Sequence, residues 1–190
     1  SPCTAAGPIS MPPAESSAVL ATTCGNAFYD DGETDTVFNF GGGRAGDPDY
    51  MFAVWIALDD FGFVPGETVL TGFCVGNDVG TTGGGAEETE VFIYPHPQGD
   101  GWPNPFKPLA RATVVTGDGS GQYEVRLPAP VVLDVNDFWI VNRGDPSHEG
   151  GSFAAYTDSD SETAHSYVST RGAYDLSIMI QAHTRWDFIF

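Results

Sequence analysis

Two short acidic turns carry the spacing of residue types that comes nearest to a metal site. In each turn, carboxylate side chains occupy the first, third and fifth positions. Calcium prefers several carboxylate and carbonyl oxygens presented on one turn. Neither turn completes an EF-hand, because the glycine and the closing bidentate glutamate are not in place. The sequence therefore predicts bound Ca²⁺, and solvated acidic turns are the alternative. The candidate ligands are Asp31, Glu33, Asp35, Asp158, Asp160 and Glu162.

A proline-rich loop over residues 95–108 combines aromatic and polar side chains. Trp102 and Phe106 stand among its prolines, with Asp100 and Asn104 close to them in sequence. Carbohydrate-binding sites use exposed aromatic side chains beside polar groups, and binding residues are common on loops. These four residues are therefore the candidate ligand-binding set. The alternative is that Trp102 anchors the loop by packing.

Motifs for catalysis are missing from the sequence. Residues 150–153 fail the GxSxG pattern of serine hydrolases, and the pair His148-Glu149 does not extend to HExxH. The four histidines lie far apart along the chain, and the 26 acidic residues make any pair of glycosidase carboxylates uninformative. The sequence predicts a protein without enzymatic activity, and a hydrolase ranks third among the functional hypotheses.

Three cysteines indicate one disulfide and one remaining thiol in an oxidising compartment. A Cys24–Cys74 bond would tie the N-terminal segment to a core strand and is slightly favoured; Cys3–Cys24 is the alternative. The sequence opens Ser1-Pro2-Cys3 without methionine, as a secreted protein does after its signal peptide is removed. We therefore expect a secreted, extracellular protein, with an arbitrary cut in a longer chain as the alternative.

The charge balance excludes several classes of partner. The 190 residues carry a formal net charge of −19, with 7 basic residues against 26 acidic ones. Such a chain lacks the cations that bind nucleic acid phosphates or anionic lipid surfaces. No apolar run approaches the length of about 20 residues that crosses a bilayer. A saline habitat would explain the acidity without any ligand.

Short β-branched and aromatic stretches between turn residues predict an all-β protein. The closing stretch illustrates the pattern, since Leu176, Ile178 and Ile180 occupy every second position and share one face. Trp55 and Trp139 lie within such stretches and are expected in the core. About eleven short strands predict a β-sandwich of the jelly-roll kind. We expect an extended N-terminal arm over residues 1–17 and a single domain over 18–190. The predicted strands are 18–23, 36–40, 50–58, 68–75, 89–95, 109–116, 121–127, 137–143, 152–157, 165–170 and 174–183, with 185–190 as a further candidate.

The order of several segments resembles β-sandwich modules of secreted bacterial proteins, which often accompany peptidase, adhesin or sorting domains. The resemblance covers about residues 26–183 and includes a Tyr-Asp-Asp-Gly turn, a strand ending near a cysteine and a closing apolar strand. It implies an extracellular, bacterial, non-catalytic accessory or adhesive module. The segments that carry it are 29–32, 69–75, 91–94, 137–141, 166–167 and 175–180.

Both ends of the sequence are candidates for contact between subunits. Residues 18–23, with Val19 and Leu20, are β-prone and suited to adding a strand to a neighbour's sheet. Trp186, Phe188 and Phe190 form an apolar end that must be buried within the chain or in another subunit. The leading hypothesis is therefore a structural or adhesive protein of the extracellular surface or matrix that assembles with itself. The second is a carbohydrate-binding module that contacts an extracellular glycan.

Overall fold

The structure is a computed structural model of the chain. It describes residues 15–21, 27, 29, 36–39, 51–77, 88–97, 103–104, 106–115, 121–144, 154–158, 165–169, 180–181 and 187–188.

Strands dominate the described residues, which contain twelve of them and no α-helix. The class is therefore all-β, as the sequence predicts, while the count of about eleven strands stays a prediction. A 3-10 helix over Leu58–Phe61 follows the third strand. The strands are β1 (Glu15–Ala21), β2 (Thr36–Asn39), β3 (Met51–Ala57), β4 (Thr68–Asn77), β5 (Glu88–Pro95), β6 (Ala110–Val115), β7 (Gly121–Leu133), β8 (Asp137–Gly144), β9 (Ala154–Asp158), β10 (Ser166–Ser169), β11 (Ile180–Gln181) and β12 (Asp187–Phe188).

Hydrogen bonding joins nine strands in the order β11-β10-β3-β8-β5-β6-β1-β7-β4 and three more in the order β12-β9-β2. The described strand pairs are antiparallel except β1 with β6, which pair in parallel through residues 15–17. Residues 18–21 of β1 then pair antiparallel with β7. Both edges of β1 are therefore used within the chain. Because β1 begins at Glu15, residues 15–17 belong to a strand and not to the expected arm; residues 1–14 lie outside the described part.

The seventh strand is longer than the sequence suggests. It continues past residue 127 although two prolines lie inside it. Pro128 and Pro130 lack the amide proton that a ladder needs, which is why the prediction ends this strand at residue 127. The structure accommodates them in an irregularity where the pairing moves from Leu70↔Val131 to Gly72↔Arg126. The extra residues on β7 stand opposite Thr71, and regular pairing resumes on either side.

The main core takes alternate residues from one face of β3, β5, β6 and β8. Val54 and Ile56 of β3 lie in it, together with Phe73 of β4 and Val125 of β7. The other face of the sheet carries a second apolar cluster that includes Trp139, and Trp55 packs against it. These two tryptophans therefore lie against apolar neighbours, as expected. The predicted jelly-roll sandwich stays a prediction.

No helix within the described ranges is both long and apolar enough to span a bilayer.

Candidate functional site

The turn that links β5 to β6 holds a phenylalanine out in solvent. Asn104 fixes this turn twice: its Oδ1 accepts a hydrogen bond from the Phe106 amide at 2.9 Å, and its main-chain oxygen accepts one from the Lys107 amide at 3.0 Å. Pro103, just before, is buried. The Phe106 side chain is 82% exposed. An apolar ring on a fixed backbone is ready for contact, because little conformational freedom remains to be lost on binding.

The chain's only lysine directly follows this phenylalanine in the sequence. Lys107 is exposed next to Phe106, so the turn offers one apolar face and one cationic donor. Of the four predicted ligand-binding residues, the structure places Phe106 and Asn104 in one turn, with Asn104 shaping the backbone. Trp102 and Asp100 lie outside the described residues, so their part in the site stays a prediction.

A second group of side chains forms what we call the aromatic cluster: Tyr29, Trp55, His96, Trp139 and His165. Trp55 stands between the two histidines, with ring centroids 5.5 Å from each. The Trp139 Nε1 donates a hydrogen bond to the His96 Nδ1 at 2.9 Å. Since an indole nitrogen can only donate, the His96 Nδ1 is the acceptor of this bond. His165 stacks on Tyr29 at 3.6 Å, and its Nδ1 lies 3.0 Å from the Trp55 main-chain oxygen.

Tyr29 and Asp137 carry perturbed acidities at the end of this cluster. Burial raises the pKa of the Tyr29 hydroxyl, which donates to the Asp60 carboxylate at 2.7 Å and accepts from the Ala57 amide at 3.1 Å. Burial also raises the pKa of the Asp137 carboxyl; the Asp59 and Asp60 carboxylates add to the effect, and His96 opposes it. Tyr29 therefore stays protonated and acts as a hydrogen-bonding tie between segments distant in sequence.

Several polar atoms of the aromatic cluster are used in contacts within the cluster itself. The His96 Nδ1 contacts the Trp139 ring nitrogen, and the His165 Nδ1 contacts the Trp55 main-chain oxygen. The Trp55 Nε1 is buried without a hydrogen-bond partner. The described residues contain no group of three or more potential metal-ligating side chains. The non-enzymatic character of the protein stays a prediction.

A cavity of about 440 Å³ lies beside β4. Its volume falls within the range of small-molecule pockets. Core residues of β3, β4 and β8 supply apolar walls, and the ion pair of Arg126 with Glu124, 3.2 Å apart, supplies a polar side. Both ions of that pair are well exposed, so its contribution to stability is small.

The predicted calcium ligands fall mainly outside the described residues, as Asp31, Glu33, Asp35, Asp160 and Glu162 do. Asp158 is described as the last residue of β9, where its Cα pairs with that of Asp187 in β12. Calcium binding stays a prediction. EDTA should lower the thermal midpoint if these turns hold the ion.

Cys74 is disulfide-bonded, and it is buried within β4. Its partner lies outside the described residues, as Cys24 and Cys3 do. The favoured pairing of Cys24 with Cys74 therefore stays a prediction.

The residues predicted to join subunits have mixed positions. Val19 and Leu20 lie in β1, opposite Glu124 and Tyr123 of β7 in the same chain. Donation of this strand to a neighbour would require β1 to leave its own sheet. Phe188 lies in β12, opposite Thr157 of β9, while Trp186 and Phe190 lie outside the described residues.

No known protein family matches the chain, and neither does any curated protein or any solved structure. The resemblance to sandwich modules of secreted proteins thus stays a prediction.

The aromatic cluster and the cavity were not foreseen from the sequence. The histidines of the cluster are 69 positions apart, and only the pairing of β3 with β8 and β10 brings their segments together. The one signal for these histidines in the sequence was their position at strand ends, since His96 directly follows β5 and His165 directly precedes β10.

Proposed function

We propose that the chain is a non-enzymatic adhesive protein of an extracellular surface or matrix, and that it binds a neutral glycan through Phe106. The observation that carries the proposal is the exposure of this ring on a turn fixed by Asn104. A sugar ring presents an apolar face that packs on an aromatic side chain, while its hydroxyls take hydrogen bonds from nearby polar groups. Lys107 follows Phe106 in the chain, is exposed and carries such a donor.

The electrostatic character of the chain selects the kind of glycan. A net charge of −19 repels sulfated and uronic acid polymers over the Debye length, about 10 Å at 0.1 M salt. A neutral glycan carries no such penalty. Binding should therefore depend weakly on ionic strength, because apolar stacking and neutral hydrogen bonds are little screened by salt.

Retention on insoluble neutral polysaccharides, such as cellulose and chitin, tests the proposal. Phe106→Ala should reduce retention at least tenfold, which corresponds to about 1.4 kcal/mol. Val132→Ala is the matched control, since Val132 is also exposed and apolar (55%) but lies in β7; it should bind as the wild type does. Equal retention of Phe106→Ala and the wild type, or no retention of the wild type by any neutral glycan, would overturn the proposal.

A further inference from the structure

The connection between β5 and β6 begins at a histidine that contacts β8 twice. His96 directly follows β5, and its main-chain amide donates a hydrogen bond to the Asp137 main-chain oxygen at 2.9 Å. Its Nδ1 accepts a hydrogen bond from the Trp139 Nε1, also at 2.9 Å. The other end of the connection is held by the Leu109 amide, which donates to the Ile93 main-chain oxygen at 2.7 Å. The His96 side chain is therefore part of the base of this connection.

The register of β5 with β8 places two different partners beside the His96 ring. Pro95 pairs with Phe138 at the end of the ladder. His96 comes next and stands opposite Asp137. Asp137 and Trp139 are two positions apart in β8, so they share one face of the strand. Directly opposite and diagonal side chains on one face of a sheet are within reach of each other. The ring therefore has an indole donor on one side and a carboxyl acceptor on the other.

Acid should change which of these two partners the ring contacts. Histidine is the side chain that gains its charge in roughly the range of pH 5–8, and both of its nitrogens are donors once it is charged. The Trp139 indole is also a donor only, so a charged His96 ring loses the bond at Nδ1. The Asp137 carboxylate can accept from the charged ring. Burial raises the pKa of the Asp137 carboxyl and His96 opposes this rise, so the two groups interact electrostatically.

Other titratable groups of this region lie on neighbouring segments. Two carboxylates of the 3-10 helix act on Asp137. The second histidine of the aromatic cluster lies on the far side of the Trp55 ring from His96. Asp137 is therefore the charged partner that β8 offers to the ring, and the second histidine is the group that a control must test. The neighbouring groups are Asp59 and Asp60 of the 3-10 helix, His165 before β10, and Tyr29, which stacks on His165.

We propose that His96 is a pH switch at the base of the β5–β6 connection, and that its ring contacts Trp139 when neutral and Asp137 when charged. The connection spans residues 96–109 and carries the exposed Phe106. Loss of the Trp139 contact loosens one end of it, and a less fixed turn loses more conformational freedom on binding. Acid should therefore release a bound glycan, a consequence that rests on the proposed function.

Nuclear magnetic resonance of the full chain, titrated from about pH 8 to about pH 5, tests the switch without any ligand. The indole N–H signal of Trp139, assigned by its loss in Trp139→Phe, should shift with one midpoint. The Phe106 and Lys107 amide signals should shift with the same midpoint. His96→Asn offers an acceptor oxygen at every pH and should abolish these shifts. His165→Asn is the matched control, because it makes the same change in the same cluster, and it should titrate as the wild type does.

Asp137→Asn removes the second partner of the switch. It should move the midpoint to lower pH, because the charged ring loses its counter-charge. A Trp139 signal that stays constant through the titration, or that still titrates in His96→Asn, would overturn the proposal. A midpoint that is unchanged in Asp137→Asn would overturn it too, since that carboxyl would then not be the second partner. The thermal midpoint shows whether each variant remains folded.

Retention on neutral polysaccharides separates this inference from the proposed function. Wild-type retention should fall by about two- to tenfold between about pH 8 and about pH 5, the range that one hydrogen bond contributes, while His96→Asn should bind equally at both. Equal wild-type retention beside a titrating Trp139 signal would overturn the link between the switch and the glycan site. No retention at any pH would overturn the proposed function alone, because the resonance titration needs no glycan.

Discussion

Replacement of Asn142 by leucine should stabilise the protein, because the asparagine amide is buried without a hydrogen-bond partner. Asn142 is 0% exposed in β8, and neither its Oδ1 nor its Nδ2 has a partner. Phe138, Ile140 and Asn142 occupy every second position of β8 and so share one face of the strand. Asn142 also stands opposite Val91 of β5, so its surroundings are the apolar core. The substitution leaves the main-chain ladder of β8 unchanged.

The expected size of the effect follows from the cost of unpaired polar groups. Each buried, unsatisfied donor or acceptor costs about 1–3 kcal/mol, and Asn142 has one of each. Leucine keeps the branching and the number of non-hydrogen atoms of asparagine, but it is tetrahedral where the amide is planar. The resulting strain offsets part of the gain, since overpacking costs about 1–3 kcal/mol. We expect Asn142→Leu to raise the free energy of unfolding by about 1–3 kcal/mol. At this chain length the thermal midpoint should rise by about 2–4 °C for each kcal/mol.

Urea titrations followed by circular dichroism measure the effect, with an unchanged slope as the sign that the unfolded state is not altered. Asn142→Ala is the matched comparison. It also removes the unpaired amide but leaves a cavity, so it should be less stable than Asn142→Leu by about 2–5 kcal/mol. A leucine variant that unfolds at lower urea than the wild type would refute the reasoning, because it would mean that the amide contributes a favourable bond.

Four further substitutions test other parts of the structure. Gly72→Ala should lower the free energy of unfolding by about 1–3 kcal/mol, since a Cβ there would lie 2.4 Å from a main-chain oxygen of β7. Gly62→Ala is the control: its Cβ would meet open space at φ +71°, so it should cost only the backbone strain of about 1–2 kcal/mol. Near-UV circular dichroism reports on core packing, and equal spectra of the two variants would contradict the clash expected at residue 72. Because burial raises the pKa of the Asp137 carboxyl, the folded state holds its proton more tightly than the unfolded chain does, and stability falls as pH rises through that pKa. Asp137→Asn should therefore gain stability over the wild type at pH 7 and match it near pH 3 in urea titrations. Tyr29→Phe leaves the Ala57 amide without its acceptor and should lower the thermal midpoint by about 2–4 °C, for a loss of about 1 kcal/mol; an unchanged midpoint would argue against the tie.

The strands were predictable because their signals are local. Gln122 to Leu127 alternate between polar and apolar residues, and the structure places them in β7 with Tyr123 and Val125 buried. What failed was the end of that strand. Pro128 and Pro130 look like strand breakers in sequence, but the structure absorbs them in an irregularity opposite β4.

The sites were less predictable, because they depend on which strands become neighbours. Phe106 could be singled out, since prolines and Asn104 mark its turn in the sequence itself. The exposed pair of Val69 and Val132 could not, because these residues are distant in the chain and become neighbours only through the register of β4 with β7. The stacking of Tyr29 on His165 was hidden for the same reason.

The two-sided pairing of β1 has a consequence for the order of events on the ribosome. Residues 15–21 are made early, but β6 and β7, which flank them, follow roughly 100 residues later. At about 5–20 residues per second, the first strand waits on the order of 5–20 seconds for both partners. During that time its run Ala18-Val19-Leu20-Ala21 is exposed to other nascent chains. The pairing of β1 is completed only when this segment is inserted between two strands that are made later.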